Sequence, residues 1–100
     1  MKIGGTPTHN FTLPISEEYV RNVEITYSQN GKIILQKYLR DCTINGNKVS
    51  VTLSQLDTFA FTGGVNVEIQ IRVIDVGGMV TPSDVICISC DKCLSTEVLI

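Results

Sequence analysis

The sequence predicts an all-β protein, a single antiparallel β-sandwich of immunoglobulin-like architecture. Two observations carry that prediction. Apolar and polar residues alternate with a period of two through most of the chain, and turn signals built on glycine and asparagine recur about every dozen residues. No segment carries the apolar stripe of an amphipathic helix. At 100 residues the chain makes one domain, residues 1–100, with a small core and a modest stability margin.

The elements follow in order. Residues 1–8, with Gly4, Gly5 and Pro7, read as an extended N-terminal arm. His9 to Leu13 is a short first strand, stopped by Pro14. Val23, Ile25 and Tyr27 alternate with Asn22, Glu24, Thr26 and Ser28, and Gln29-Asn30-Gly31 then signals a hairpin, because Asn and Gly tolerate positive φ. Lys32 to Arg40 returns as a strand with Ile33, Leu35 and Leu39 on one face and Ile34 and Tyr38 on the other. A second turn, Asn45-Gly46-Asn47, leads into Val49, Val51 and Leu53, which alternate with Lys48, Ser50 and Thr52. Ser54 to Thr58 predicts one helical turn crossing between sheets, since Ser and Asp favour caps.

The clearest strand is Val65 to Asp75, where Val65, Val67, Ile69, Ile71 and Val73 oppose Asn66, Glu68, Gln70 and Arg72. Gly63-Gly64 and Gly77-Gly78 bracket it. Ser83 to Ser89 is read as the last core strand, placed centrally because Val85-Ile86-Cys87-Ile88 is apolar on both faces. Residues 94–100 form a C-terminal tail.

Charge and composition exclude several function classes. A net charge of −2 and a pI near 5.2 offer no basic field for phosphates or anionic lipid, which argues against nucleic-acid and membrane-surface partners. The first residues lack the apolar core of a secretory leader, and no window is apolar enough to span a bilayer. Synthesis in a cytoplasm, with reduced thiols, is the expectation.

The cysteines Cys42, Cys87, Cys90 and Cys93 are the candidate metal or redox residues. On an extended strand, residues three apart point to opposite faces and lie roughly 10 Å from each other. Sulfurs on one tetrahedral metal sit roughly 4 Å apart. A Cys87 within a strand therefore cannot share a metal with Cys90. The expectation is that these thiols fill small apolar sites and that no cofactor is bound, with a site built from Cys42, Cys90 and Cys93, or a Cys90–Cys93 disulfide, as the alternatives.

Nucleophilic catalysis has little to work with. His9 is the only histidine and lies near the N-terminal arm, where a rigid triad is not expected and an exposed polar residue is. Glu17 and Glu18 read as solvated loop carboxylates. Asp41, Asp57, Asp75, Asp84 and Asp91 are scattered over separate turns, with no calcium-loop spacing. The glycine pairs lack the lysine and helix of a phosphate loop. No enzyme is predicted.

What remains is a binding surface. Glu24, Lys48, Glu68, Gln70 and Arg72 are outward candidates on the sheets. Strand edges and the chain's outer segments suit strand addition to a partner, which singles out Thr8 and His9 near one end and Val98, Leu99 and Ile100 near the other.

The stretches "GGTPTHNFTLP", "VEITYSQNGKIILQK", "TLSQLDTFAF", "VEIQIRV" and "SDVI" also resemble a family of small proteins, of about this length, encoded in phages and prophages of Firmicutes. The resemblance covers nearly the whole chain and rests on strand and turn patterns. It implies a non-enzymatic virion component, for capsid decoration or at the neck or tail, that binds other phage structural proteins in a symmetric multi-copy assembly, with a homo-oligomer as one possible form. The cysteines do not belong to the resemblance. A cytoplasmic adaptor acting by strand addition is the alternative from another class, and a small cysteine metal or redox protein the third.

Overall fold

A computed structural model describes all 100 residues. In chain order it has β1 (Thr8–Thr12), β2 (Val20–Gln29), β3 (Lys32–Tyr38), β4 (Cys42–Asn45), β5 (Lys48–Thr52), α1 (Gln55–Phe59), β6 (Val67–Asp75), β7 (Val80–Pro82) and β8 (Ile86–Ile88). Two antiparallel sheets result. One has the order β1-β5-β4; the other runs β3-β2-β6, with β7 and β8 both paired to the far side of β6. The chain crosses between them after β1, β3 and β5. The molecule is 15 Å through its thinnest dimension, the depth of two facing sheets.

The core lies between the layers and comes from the alternating positions. Phe11, Val49, Val51 and Leu53 enter from the first sheet; Val23, Ile25, Tyr27, Val67, Ile69, Ile71 and Val73 enter from the second. The outward residues of the first sheet pair with one another as uncharged polar groups: Thr8 and Thr52 hydroxyls meet at 2.7 Å, and Ser50 Oγ donates to Asn10 Oδ1 at 2.6 Å.

Turn chemistry behaves as the sequence predicts. Asn30 (φ 51°) and Gly31 (φ 76°) both adopt the left-handed region, so the β2–β3 hairpin closes through a turn whose twist matches its strands. α1 is the predicted helical crossover. Ser54 Oγ accepts from Asp57 N and Asp57 Oδ2 accepts from Ser54 N, at 3.0 and 2.9 Å, a reciprocal cap.

Four expectations are corrected. In β3 the register slips, Tyr27 facing Leu35 but Ser28 facing Ile33, so Ile34 is an extra residue. Ile33 and Leu35 therefore fall on opposite faces, and Ile33 is exposed. β6 begins at Val67 and not Val65, because the carbonyls of Thr62 and Val65 accept from the buried Gln29 side-chain amide, at 2.8 and 3.0 Å.

The last strand is not central. It is a broken edge: β7 pairs with Arg72–Ile74 and β8 with Val67–Ile69, separated by Ser83-Asp84-Val85. Nothing covers its outer side, so Val85 and Ile86 are exposed.

The N-terminal arm, finally, is docked. Asp91 N–H donates to Met1 O, Ile3 N–H donates to Asp91 O, and the Met1 ammonium donates to Ser89 O, at 2.8 to 3.1 Å. Gly4 N–H donates to the wholly buried Thr58 hydroxyl at 2.9 Å, and Thr58 Oγ1 donates on to Gly5 O at 3.0 Å.

Candidate interaction surfaces

The four cysteines are dispersed by the fold. Cys42 begins β4 and its Sγ donates to Tyr38 O at 3.2 Å, while Cys90 is buried beside the docked N-terminal arm. Cys93 is exposed overall, though its sulfur faces Gly4, where an added Cβ would stand 3.3 Å away. Cys87 sits opposite Glu68 on the outer face of β8 and is exposed. As apolar filler, Cys90 fits and Cys87 does not, because its strand is an edge with solvent outside. No three His, Cys, Asp or Glu side chains converge around a point that can hold one ion. Burial pushes the Cys90 and Cys42 thiols up, with Asp91 and Asp41 adding to it, so neither is an activated thiolate.

His9 is not the exposed residue the sequence reading expects. It alternates inward with Phe11, and its Nδ1 lies 2.7 Å from the Tyr27 hydroxyl, linking the two sheets. Burial, with help from the N-terminal ammonium, lowers its pKa. The alternation His9-Phe11-Leu13 against Thr8-Asn10-Thr12 is the sequence signal for this placement. Thr8 instead faces outward, in the polar ladder with Thr52. The two residues share a strand but not a surface.

Glu17 and Glu18 form a 3-10 turn with Tyr19, and Glu17 Oε1 accepts from Gly46 N at 3.2 Å, which ties that turn to the β4–β5 hairpin. On the outer face of the second sheet, Glu24 and Arg72 are cross-strand neighbours with a 2.8 Å ion pair, and Arg40 stacks over Tyr38, 4.9 Å from its centroid. A depression lies there. It holds about 190 Å³ between Asn22, Glu24, Tyr38, Arg72, Ile74 and Val80. That is below the ~300 Å³ at which pockets for drug-sized ligands begin.

The chain's final segment has an arrangement that sequence reasoning missed. Gln55, the first residue of α1, clasps the backbone of Leu99 with its side-chain amide: Nε2 donates to Leu99 O and Oε1 accepts from Leu99 N, both at 2.8 Å. The Leu94, Leu99 and Ile100 side chains nonetheless stand free in solvent, at 105%, 82% and 114% of full exposure, and Val98 is 43% exposed. Asp57, two residues along α1, pairs with Lys37 of β3 at 3.0 Å. Burial alone would raise the Asp57 carboxyl, but the Ser54 N–H and Lys37 outweigh it and hold it below its ordinary value.

No protein-family model, no curated protein and no solved structure matches this chain.

Proposed function

We propose that this chain is a non-enzymatic structural component of a phage particle, an immunoglobulin-like module that binds other virion proteins through its sheet edges and its C-terminal segment. The observation that carries the reading is where the exposed apolar side chains lie. Of twelve large ones, nine (Val76, Met79, Val80, Val85, Ile86, Leu94, Val98, Leu99 and Ile100) follow residue 75, in the β6–β7 turn, along the broken edge and in the segment after it. Apolar groups gathered on an edge and an outer segment favour contact with another protein over capture of a small molecule.

The immunoglobulin-like part rests on strand order. The order β1-β5-β4 against β3-β2-β6 and the broken β7/β8 edge follows the B-E-D and C′-C-F-G order of that fold, without its first strand. The phage part rests on the sequence resemblance, and symmetric repetition on a particle suits a small domain whose individual contacts are weak.

Tryptic mass spectrometry of gradient-banded particles from an induced lysogen carrying the gene tests the reading. A fixed stoichiometry to the major structural proteins is expected. Abundance in the lysate with absence from the particles overturns it.

A further inference from the structure

Residues 94–100 have the pattern of a half-buried strand but are not one. Leu94, Thr96, Val98 and Ile100 would line one face and Ser95, Glu97 and Leu99 the other, yet all seven residues are exposed and none joins a sheet. The segment is also slack. It leaves from Cys93, whose sulfur faces the same point as the Phe59 ring at the end of α1, and reaches Gln55 at the start of that helix. Those helix ends are about 6 Å apart along the axis. Six residues of extended chain span about 20 Å. The surplus is taken up in a curl, with Glu97 N–H donating to Ser95 Oγ at 3.2 Å. The Gln55 amide is the segment's one anchor among the side-chain hydrogen bonds to the rest of the domain.

The sheets in turn have open edges, and they differ. β4 has four residues, β1 five, and the β7/β8 edge is two three-residue pieces, the first ending in Pro82. Short strands, breaks and proline are what blunt an edge against pairing. β3 is the longest of them, with seven residues, no proline and an exposed Ile33, although the bulge at Ile34 and its two lysines also act against pairing.

We infer that residues 94–100 form an exchangeable strand that adds to the β3 edge of a second copy of this chain. When extended, residues 94–100 reach about 23 Å, enough to run along the seven residues of β3. Their charges complement: the only charged residue of 94–100 is Glu97, β3 carries no acid, and while Lys37 is taken by Asp57, neither Glu97 nor Lys32 has an ion partner within the monomer. In cis the segment is committed to crossing α1 and anchors at Gln55, so its own β3 stays open. Donation of one copy's strand to the next copy's edge is a head-to-tail contact, which builds rings or filaments. The inference deepens the assembly reading by naming the partner, and it rests on that reading only for its setting in a particle.

Sedimentation velocity over a concentration series, with hydrogen exchange on the same samples, is the test. Val98→Asp and Ile33→Lys both change exposed side chains, so both leave the monomer folded. The parent chain is expected to self-associate, with slowed exchange at β3 amides. Each variant is expected to weaken association by roughly tenfold or more. An equimolar mixture of the two should form heterodimers that do not extend, because one intact arm and one intact edge remain. A parent that stays monomeric at every concentration overturns the inference. So does association that Val98→Asp leaves unchanged, or that leaves β3 exchange unaltered. Chains that sit in particles yet fail this test remove the exchanged strand and leave the assembly reading intact.

Discussion

Tyr27 is wholly buried, and the partner of its hydroxyl is His9 Nδ1, at 2.7 Å across the sandwich. The ring also meets Phe61 edge to face, 6.0 Å between centroids. Burial of the imidazole, with the N-terminal ammonium nearby, lowers the His9 pKa from 6.5. The unfolded chain then takes up a proton at a higher pH than the folded one does. Stability contributed by neutral His9 is complete above about pH 6.5 and is lost as pH falls toward the folded-state value. Urea midpoints should therefore drop as pH falls below about 6.5, and His9→Gln, which keeps a polar partner for Tyr27 but does not titrate, should flatten that drop. An equally steep profile in the variant assigns the dependence to other groups. His9 was open to correct placement from its alternation with Phe11, whereas the Gln55 clasp on Leu99 was not: the two are far apart in sequence, and no periodicity records which backbone a glutamine will meet.

Elements carry the same lesson in another form. The inward faces of β2, β5 and β6 were legible because a strand with one buried side must alternate, and Val23-Ile25-Tyr27, Val49-Val51 and Val67-Ile69-Ile71-Val73 do so without a break. The bulge at Ile34 was not legible, because an extra residue is defined only against the partner strand. The broken β7/β8 edge misled for a related reason. Val85-Ile86-Cys87-Ile88 has the composition of a covered strand, and composition does not distinguish cover by the same chain from cover by another. The β2–β3 hairpin allows a direct test. Gly31 sits at φ 76°, where a β-branched side chain is strained. Gly31→Val should cost about 1–2 kcal/mol in urea unfolding, with the slope against denaturant unchanged. A neutral result would mean that the turn does not need its left-handed residues.

At the scale of the whole molecule, two facing sheets hold a core drawn from β1, β2, β5 and β6 and the loops beside them, and the N-terminal arm closes one end by pairing with Ser89 and Asp91. The sandwich was predictable from periodicity and turns. The docked arm was not, since Met1 to Gly5 carries no pattern and is held mainly through backbone groups. On the proposed reading, the exposed apolar groups concentrated after residue 75 are an interface for a copy or a neighbour and not a site for a metal or small ligand. Native mass spectrometry of the purified chain across a concentration series, with and without chelator and reductant, tests that claim most directly. Integer multiples of the 11.0 kDa chain are expected, growing with concentration and unmoved by either reagent. A monomer at every concentration, or a mass that carries metal and loses it to the chelator, would contradict it.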